Sequence, residues 1–210
     1  MMFFFAISPD PLVPKTAQSS HMAIIVVGGS SKGVGKTTLV CGLMAAIDSL
    51  CWTAVKITSD AHQGLPPIYE EKSAGPETDT ARYLAAGAER AFLLTVPPER
   101  DMAGALNEFW PLIGRGTNLI FESNRIADYV SADVCLLVQG DPREGAGKPS
   151  YYRAARFADA LVAQGDDDLM VADAMKWEGQ PRGPIFNLKQ LDRISAEMKR
   201  WLGNRLGLTE

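Results

Sequence analysis

The first regular pattern in the chain is an unbroken apolar run, Ile24 to Val27, bounded by Gly28 and Gly29. A β-branched run of this kind predicts a strand buried on both faces. The period then changes: beyond Lys36, the apolar residues Leu39, Leu43, Ile47 and Leu50 recur at helical spacing. "WTAVKIT" (52 to 58) predicts the next strand, and "HQGLPPIYEEKSAGPETD" (62 to 79) a Pro- and Gly-rich loop long enough for a functional flap. "TARYLAAGAERA" (80 to 91) predicts a helix feeding the apolar "FLLTV", after which Met102, Leu106, Phe109 and Ile113 mark one helix face. "NLIFE" and "DVCLLVQ" are two further buried-type strands, and "SYYRAARFADALVAQ" a helix running into a strand. "NLKQLDRISAEMKRWL" predicts a closing helix with Leu188, Leu191, Ile194, Met198 and Trp201 on its inner side.

Strands and helices in alternation imply right-handed crossovers, so the expected fold is α/β, with a mainly parallel twisted sheet between helices in three layers. No internal repeat or inner domain boundary interrupts residues 23 to 210. Residues 1 to 22 carry no periodic pattern and are rich in Pro, Ser and Thr; they read as a disordered or tag-like extension, with Met22 near the start of the folded domain.

The junction between the first strand and helix carries the chemistry. In "GGSSKGVGKTT" a glycine-rich turn aims backbone N–H groups and the positive end of a helix at one point, and that point suits a phosphate. Gly33 and Gly35 let the chain curl and approach a ligand, with Ser31, Lys32, Val34 and Thr38 completing the loop. Lys36 is spaced to reach β- and γ-phosphate oxygens, and the Thr37 hydroxyl to ligate Mg²⁺. This is the P-loop arrangement, with Ser30 in the first glycine position and Gly29 one residue early. Lys32 stands one residue away from the register of an extra lysine that some P-loop proteins direct at a partner's nucleotide; Ser31 holds that position, and Lys32 reads equally as phosphate-facing or solvent-facing.

A phosphate cradle with Mg²⁺ needs carboxylates at the C-terminal ends of strands. Asp60, after "VKITS", and Glu122, ending "NLIF", are placed to hold Mg²⁺ or to orient an attacking water. His62 reads as a solvated loop histidine, or as a base or ligand near Asp60; Asp79 and Thr80 read as a helix start, Arg82 as a surface arginine, and "GDDD" (165 to 168) as a solvated acidic turn.

Composition narrows the partners. Lysine and arginine number 21 against 25 acidic residues, and the net charge of -4 offers no general attraction to nucleic acid or to an anionic membrane. No apolar run approaches the ~18 residues that cross a bilayer, and Cys41, Cys51 and Cys135 are odd in number and widely spaced in apolar segments, as reduced core thiols in a cytoplasmic protein would be.

Several segments together resemble molybdopterin-guanine dinucleotide biosynthesis protein B and its relatives, a family of P-loop nucleotide-binding proteins. They are the glycine loop, the strand and turn "VKITSDAH", the segment "TDTARYLAAGA", and the strand "NLIFESN" ending in Glu122, in that order over roughly residues 23 to 140. The resemblance implies a protein that binds a nucleoside triphosphate, typically GTP, hydrolyses it slowly, forms a homodimer, and assists a guanylyltransferase in making the molybdenum cofactor dinucleotide. By position it gives site roles to Lys36, Thr37, Asp60 and Glu122, and assigns Asp79 and Arg82 to a second anion or the partner nucleotide. The chain departs from the family in reading "ESNR" where a Glu-Gly, an aromatic and a Lys are usual, and "AQGD" where many related GTPases carry the guanine-reading N-K-x-D. The expected function is therefore an Mg²⁺-dependent slow NTPase or accessory factor binding GTP or ATP. The alternatives are an ATP-dependent small-molecule kinase or ligase with the 62 to 79 loop as lid, and a nucleotide-gated binding module without turnover.

Overall fold

A computed structural model describes residues 22–62, 64–140, 149–164 and 183–208. The expected extension up to residue 21 and the acidic turn at 165 to 168 lie outside the described residues; Met22, assigned to that extension, packs against the core. The described residues form one sheet of eight strands: β1 (Ile24–Gly29), β2 (Trp52–Thr58), β3 (Ile68–Glu70), β4 (Arg90–Thr95), β5 (Asn118–Glu122), β6 (Val134–Gln139), β7 (Ala160–Gln164) and β8 (Ile185–Leu188). Their order is β3-β4-β2-β5-β1-β6-β7-β8, and every pairing is parallel except that of β3 with β4.

Five helices flank the sheet among the described residues: α1 (Lys36–Ala46), α2 (Asp79–Ala85), α3 (Met102–Phe109), α4 (Pro149–Ala155) and α5 (Ala196–Leu206). The period-two geometry of a strand sends alternate side chains to opposite layers. Ile25 and Val27 of β1 meet Leu39, Leu43, Tyr83, Met198 and Leu202 from α1, α2 and α5. Ile24 and Val26 meet Met102, Leu106 and Phe109 of α3 on the other face, where α4 packs Tyr151, Ala154 and Ala155 onto Leu137 and Leu161. The result is the expected three-layer α/β fold. None of the described helices is long and apolar enough to cross a membrane.

Local predictions fail where the chain breaks its own pattern. The helix expected over 80 to 91 ends at Ala85, because the chain turns through Gly87 at φ 99° and Arg90 already belongs to β4. Ile113 falls beyond α3, after a single 3₁₀ turn at Trp110–Leu112 that contains Pro111. The closing helix begins only at Ala196, where the Ser195 side chain accepts from the Met198 N–H. Leu188 instead ends β8, a strand that the helical reading of this segment overlooks. Cys51 is exposed; Cys41 is half-buried and Cys135 buried, with burial first and Asp159 second pushing the Cys135 thiol up to about 12.

The loop at 62 to 79 contains a three-residue edge strand, β3, too short to show periodicity. Glu70 anchors it, accepting from Arg90 Nε at 2.8 Å on the neighbouring strand, with Lys72 Nζ also at 2.8 Å. The Arg90 hydrogen bond, followed by that of Lys72, lowers the Glu70 pKa from an ordinary 4.5 to about 2. A lowered carboxylate contributes stability that is full above its unfolded value and is lost as pH falls through the folded one. Glu70→Gln is therefore expected to flatten the decline in stability between pH 4.5 and about 2, measured by urea unfolding at stepped pH; an unchanged decline would show that this anchor does not hold in solution.

Candidate functional site

The glycine loop joins β1 to α1 at the C-terminal edge of the sheet. Gly33 and Gly35 take φ of 80° and 94°, conformations that only glycine adopts without strain. Gly35 is the N-cap of α1, no side chain caps that helix, and its first turn holds no acidic residue. The positive helix end and its N–H donors therefore face the cleft, where an anion would complete them. Lys36 Nζ donates to the Ser31 carbonyl at 2.9 Å, inside the curl of the loop.

Ser30, the departure from the glycine pattern, is a structural tie. It is buried, its N–H donates to the Val138 carbonyl at 3.0 Å, and its Oγ accepts from the Gly140 N–H at 2.9 Å. Asn124 fastens the loop from the other side, accepting from the Gly29 N–H at 2.7 Å and donating to the Gly29 carbonyl at 2.9 Å. The loop is thus anchored to the ends of β5 and β6, and the Ser30 side chain is itself one of the ties.

Beneath the loop lies a compact polar cluster. Because β5 inserts between β1 and β2, Glu122 stands in register with Val27 on one side and Lys56 on the other. Lys56 Nζ donates to Glu122 Oε1 at 2.7 Å and also to Asp79 Oδ2. The Thr37 hydroxyl lies 2.7 Å from Glu122 Oε2 and 3.0 Å from Asp79 Oδ1, so its single proton serves one carboxylate at a time. Tyr83, fully buried on α2, donates its hydroxyl to Glu122 Oε2. Burial disfavours the Lys56 charge, yet Glu122 and Asp79 outweigh it and raise its pKa. Burial likewise opposes the Asp79 charge, and the Lys56 hydrogen bond and charge overcome it, lowering the Asp79 pKa. The Tyr83 hydroxyl is pushed well above its ordinary value by burial and then by Glu122, so it remains a donor.

The loop and cluster line one cleft of about 510 Å³, whose walls include Ser31, Lys32, Gly33, Gly35, Lys36, Thr37, Thr38, Asp60 and Glu122. Val34 is absent from the lining: its side chain sits over Gly29 and Gly140, where an added Cβ would meet it at 2.7 and 2.9 Å. Asp60 stands apart from the cluster, exposed and 3.9 Å from Lys32, which is exposed as well; the carboxylate brought to Thr37 beside Glu122 is that of Asp79. His62 is exposed and outside the lining. Arg82, expected at the surface, donates to Thr38 Oγ1 at 3.2 Å and approaches Asp79 at 3.8 Å. Asp79 and Thr80 do open a helix, α2, whose N-cap is Thr78, with its side chain accepting from the Ala81 N–H.

Lys56, Tyr83 and Asn124 escape the reading of the sequence. Lys56 alone left a usable signal, because a charge inside a strand that is otherwise buried must find a partner. Tyr83 looks like any apolar helix position, and the role of Asn124 depends on a backbone contact across the sheet.

Together, the topology, the strand-to-helix glycine loop and the lysine that follows it define a P-loop NTPase fold. No protein-family model matches the sequence, and no curated protein matches it. Among solved structures the chain is similar to HypB from Helicobacter pylori in complex with nickel, with a TM-score of 0.57 and 18% identity over 90% of this chain and 88% of that one. It also overlaps LpxK from Aquifex aeolicus in complex with ATP, with a TM-score of 0.47 and 16% identity over 79% of this chain and 53% of that one. At such identities the likeness to HypB concerns the fold.

Proposed function

We propose that this protein binds a nucleoside triphosphate with Mg²⁺ in the cleft and acts as a slow NTPase or nucleotide-dependent accessory factor. The observation that carries the reading is the uncapped N-terminus of α1 under a loop with two positive-φ glycines, with Lys36 and the carboxylate-held Thr37 beside it. The resemblance of "VKITSDAH", "TDTARYLAAGA" and "NLIFESN" supports GTP as the nucleotide and molybdenum-cofactor assembly, with a guanylyltransferase partner and a homodimer, as the setting.

The donor set fits Mg²⁺: a buried hydroxyl and two carboxylates are hard oxygen ligands. Among the described residues no group of three or more His, Cys, Asp or Glu is placed to hold a metal; Mg²⁺ in nucleotide sites needs only one or two protein carboxylates beside phosphate oxygens and water. Thr37, Asp79 and Glu122 would hold Mg²⁺, directly or through water, and the ion would neutralise charge on the β- and γ-phosphates. Backbone amides of residues 31 to 37 and the Lys36 ammonium would stabilise negative charge on the bridging and γ oxygens. Glu122, fixed by Tyr83 and Thr37, has the rigidity to orient a water for in-line attack.

Calorimetric titration with Mg²⁺–GTP and Mg²⁺–ATP tests the proposal. Saturable GTP binding supports it, preference for ATP with metabolite-dependent ADP release turns it toward a kinase or ligase, and binding of neither overturns it. For the role of Glu122, Glu122→Gln is expected to slow single-turnover phosphate release about 100-fold, within the range of a lost acid–base group, while triphosphate affinity changes only a few-fold. Equal loss of affinity and turnover would place Glu122 in nucleotide binding instead of water orientation.

A further inference from the structure

The Lys56 ammonium bridges the two carboxylates of the donor set just described. It contacts one oxygen of each carboxylate, Glu122 Oε1 and Asp79 Oδ2, while the other oxygens, Glu122 Oε2 and Asp79 Oδ1, face the Thr37 hydroxyl. The strand holds it there, because Lys56 is the registered neighbour of Glu122 on β2 and its side chain is only 22% exposed. We propose that Lys56 is an internal cation that occupies the divalent-metal position, so that Mg²⁺ enters only together with the triphosphate.

The charge balance gives the reason. Asp79 and Glu122 offer two negative charges, and Lys56 neutralises one of them while Arg82 lies 3.8 Å from Asp79. A bare divalent ion would have to displace an ammonium already desolvated and doubly hydrogen-bonded, then sit among the remaining positive groups. A triphosphate reverses that sign, because its γ-oxygens offer the displaced lysine a new acceptor and supply the metal with further ligands. Lys56 is thus a positioning residue with two alternative partners, the carboxylate pair or the terminal phosphate. The inference rests on the nucleotide reading for its second partner, but not for the first.

The test therefore begins without nucleotide. Wild-type protein is expected to show no change in melting temperature with millimolar Mg²⁺ or Mn²⁺. Lys56→Met, which keeps the length of the side chain and removes the charge, is expected to melt lower than wild type and to recover by several degrees on adding either ion. Lys56→Met combined with Glu122→Gln should lose that recovery. An equal metal response in wild type, or none in folded Lys56→Met, overturns the proposal.

If Lys56→Met does not fold even with metal, the ¹⁵N signal of the Lys56 ammonium in wild-type protein decides the matter. It should be unmoved by Mg²⁺ alone and shift with Mg²⁺ plus triphosphate. A shift with Mg²⁺ alone refutes the internal cation. If Mg²⁺ alone leaves the signal in place and triphosphate produces neither binding heat nor a shift, the nucleotide reading fails while the internal cation stands.

Discussion

Replacing Lys36 by alanine is expected to weaken Mg²⁺–triphosphate binding by roughly 30- to 700-fold, about 2–4 kcal/mol for charge-assisted hydrogen bonds to two phosphates. Diphosphate binding should weaken less, because only the β-phosphate contact is lost. The Lys36 ammonium already lies within the curl of the loop, 2.9 Å from the Ser31 carbonyl, so little reorganisation separates it from a phosphate. Titration of wild type and variant with both nucleotides measures the difference. Equal weakening for the two would mean that Lys36 does not face the γ-phosphate.

The largest expected loss of stability is on the opposite face. Phe109 of α3 is fully buried, with its ring 5.3 Å from that of Phe92 and 5.6 Å from that of Trp110. Phe109→Ala removes an aromatic side chain from this packed layer and should cost about 3–5 kcal/mol. For a chain of this size that lowers the melting temperature by about 10 °C. The cleft takes its walls from other elements, so nucleotide affinity below the melting range should be unchanged. A marked loss of affinity would show that the α3 layer helps set the loop's geometry.

These two residues differ in how openly the sequence displayed them. Lys36 stands in a local motif, and its environment, strand before and helix after, is written in the apolar pattern on either side. Phe109 was legible as a position on an inner helix face, though its partner Phe92 and the sheet face it covers were not. The same contrast divides the carboxylates. A strand that ends on Glu122 marks it in the sequence, and the same rule marks Asp60; the fold keeps the first under the loop and leaves the second exposed beside Lys32. Asp79 had the weaker local claim, as a residue at a helix start, yet α2 carries it to Thr37.

By itself the sequence determined the alternation of buried strands and amphipathic helices, the α/β class, and the strand–loop–helix unit with its glycines, Lys36 and Thr37. Each of these depends on residues near one another in the chain, where period and backbone freedom act directly. The tertiary structure alone decided the strand order, and with it the site. Inserting β5 between β1 and β2 sets Glu122 beside Lys56, and the return of the chain through β3 and α2 adds Asp79, Arg82 and Tyr83. Those partners lie 23 to 85 residues apart along the chain. What holds them together is the sheet's register and the packing of α2 on α1, neither of which any short stretch of sequence encodes.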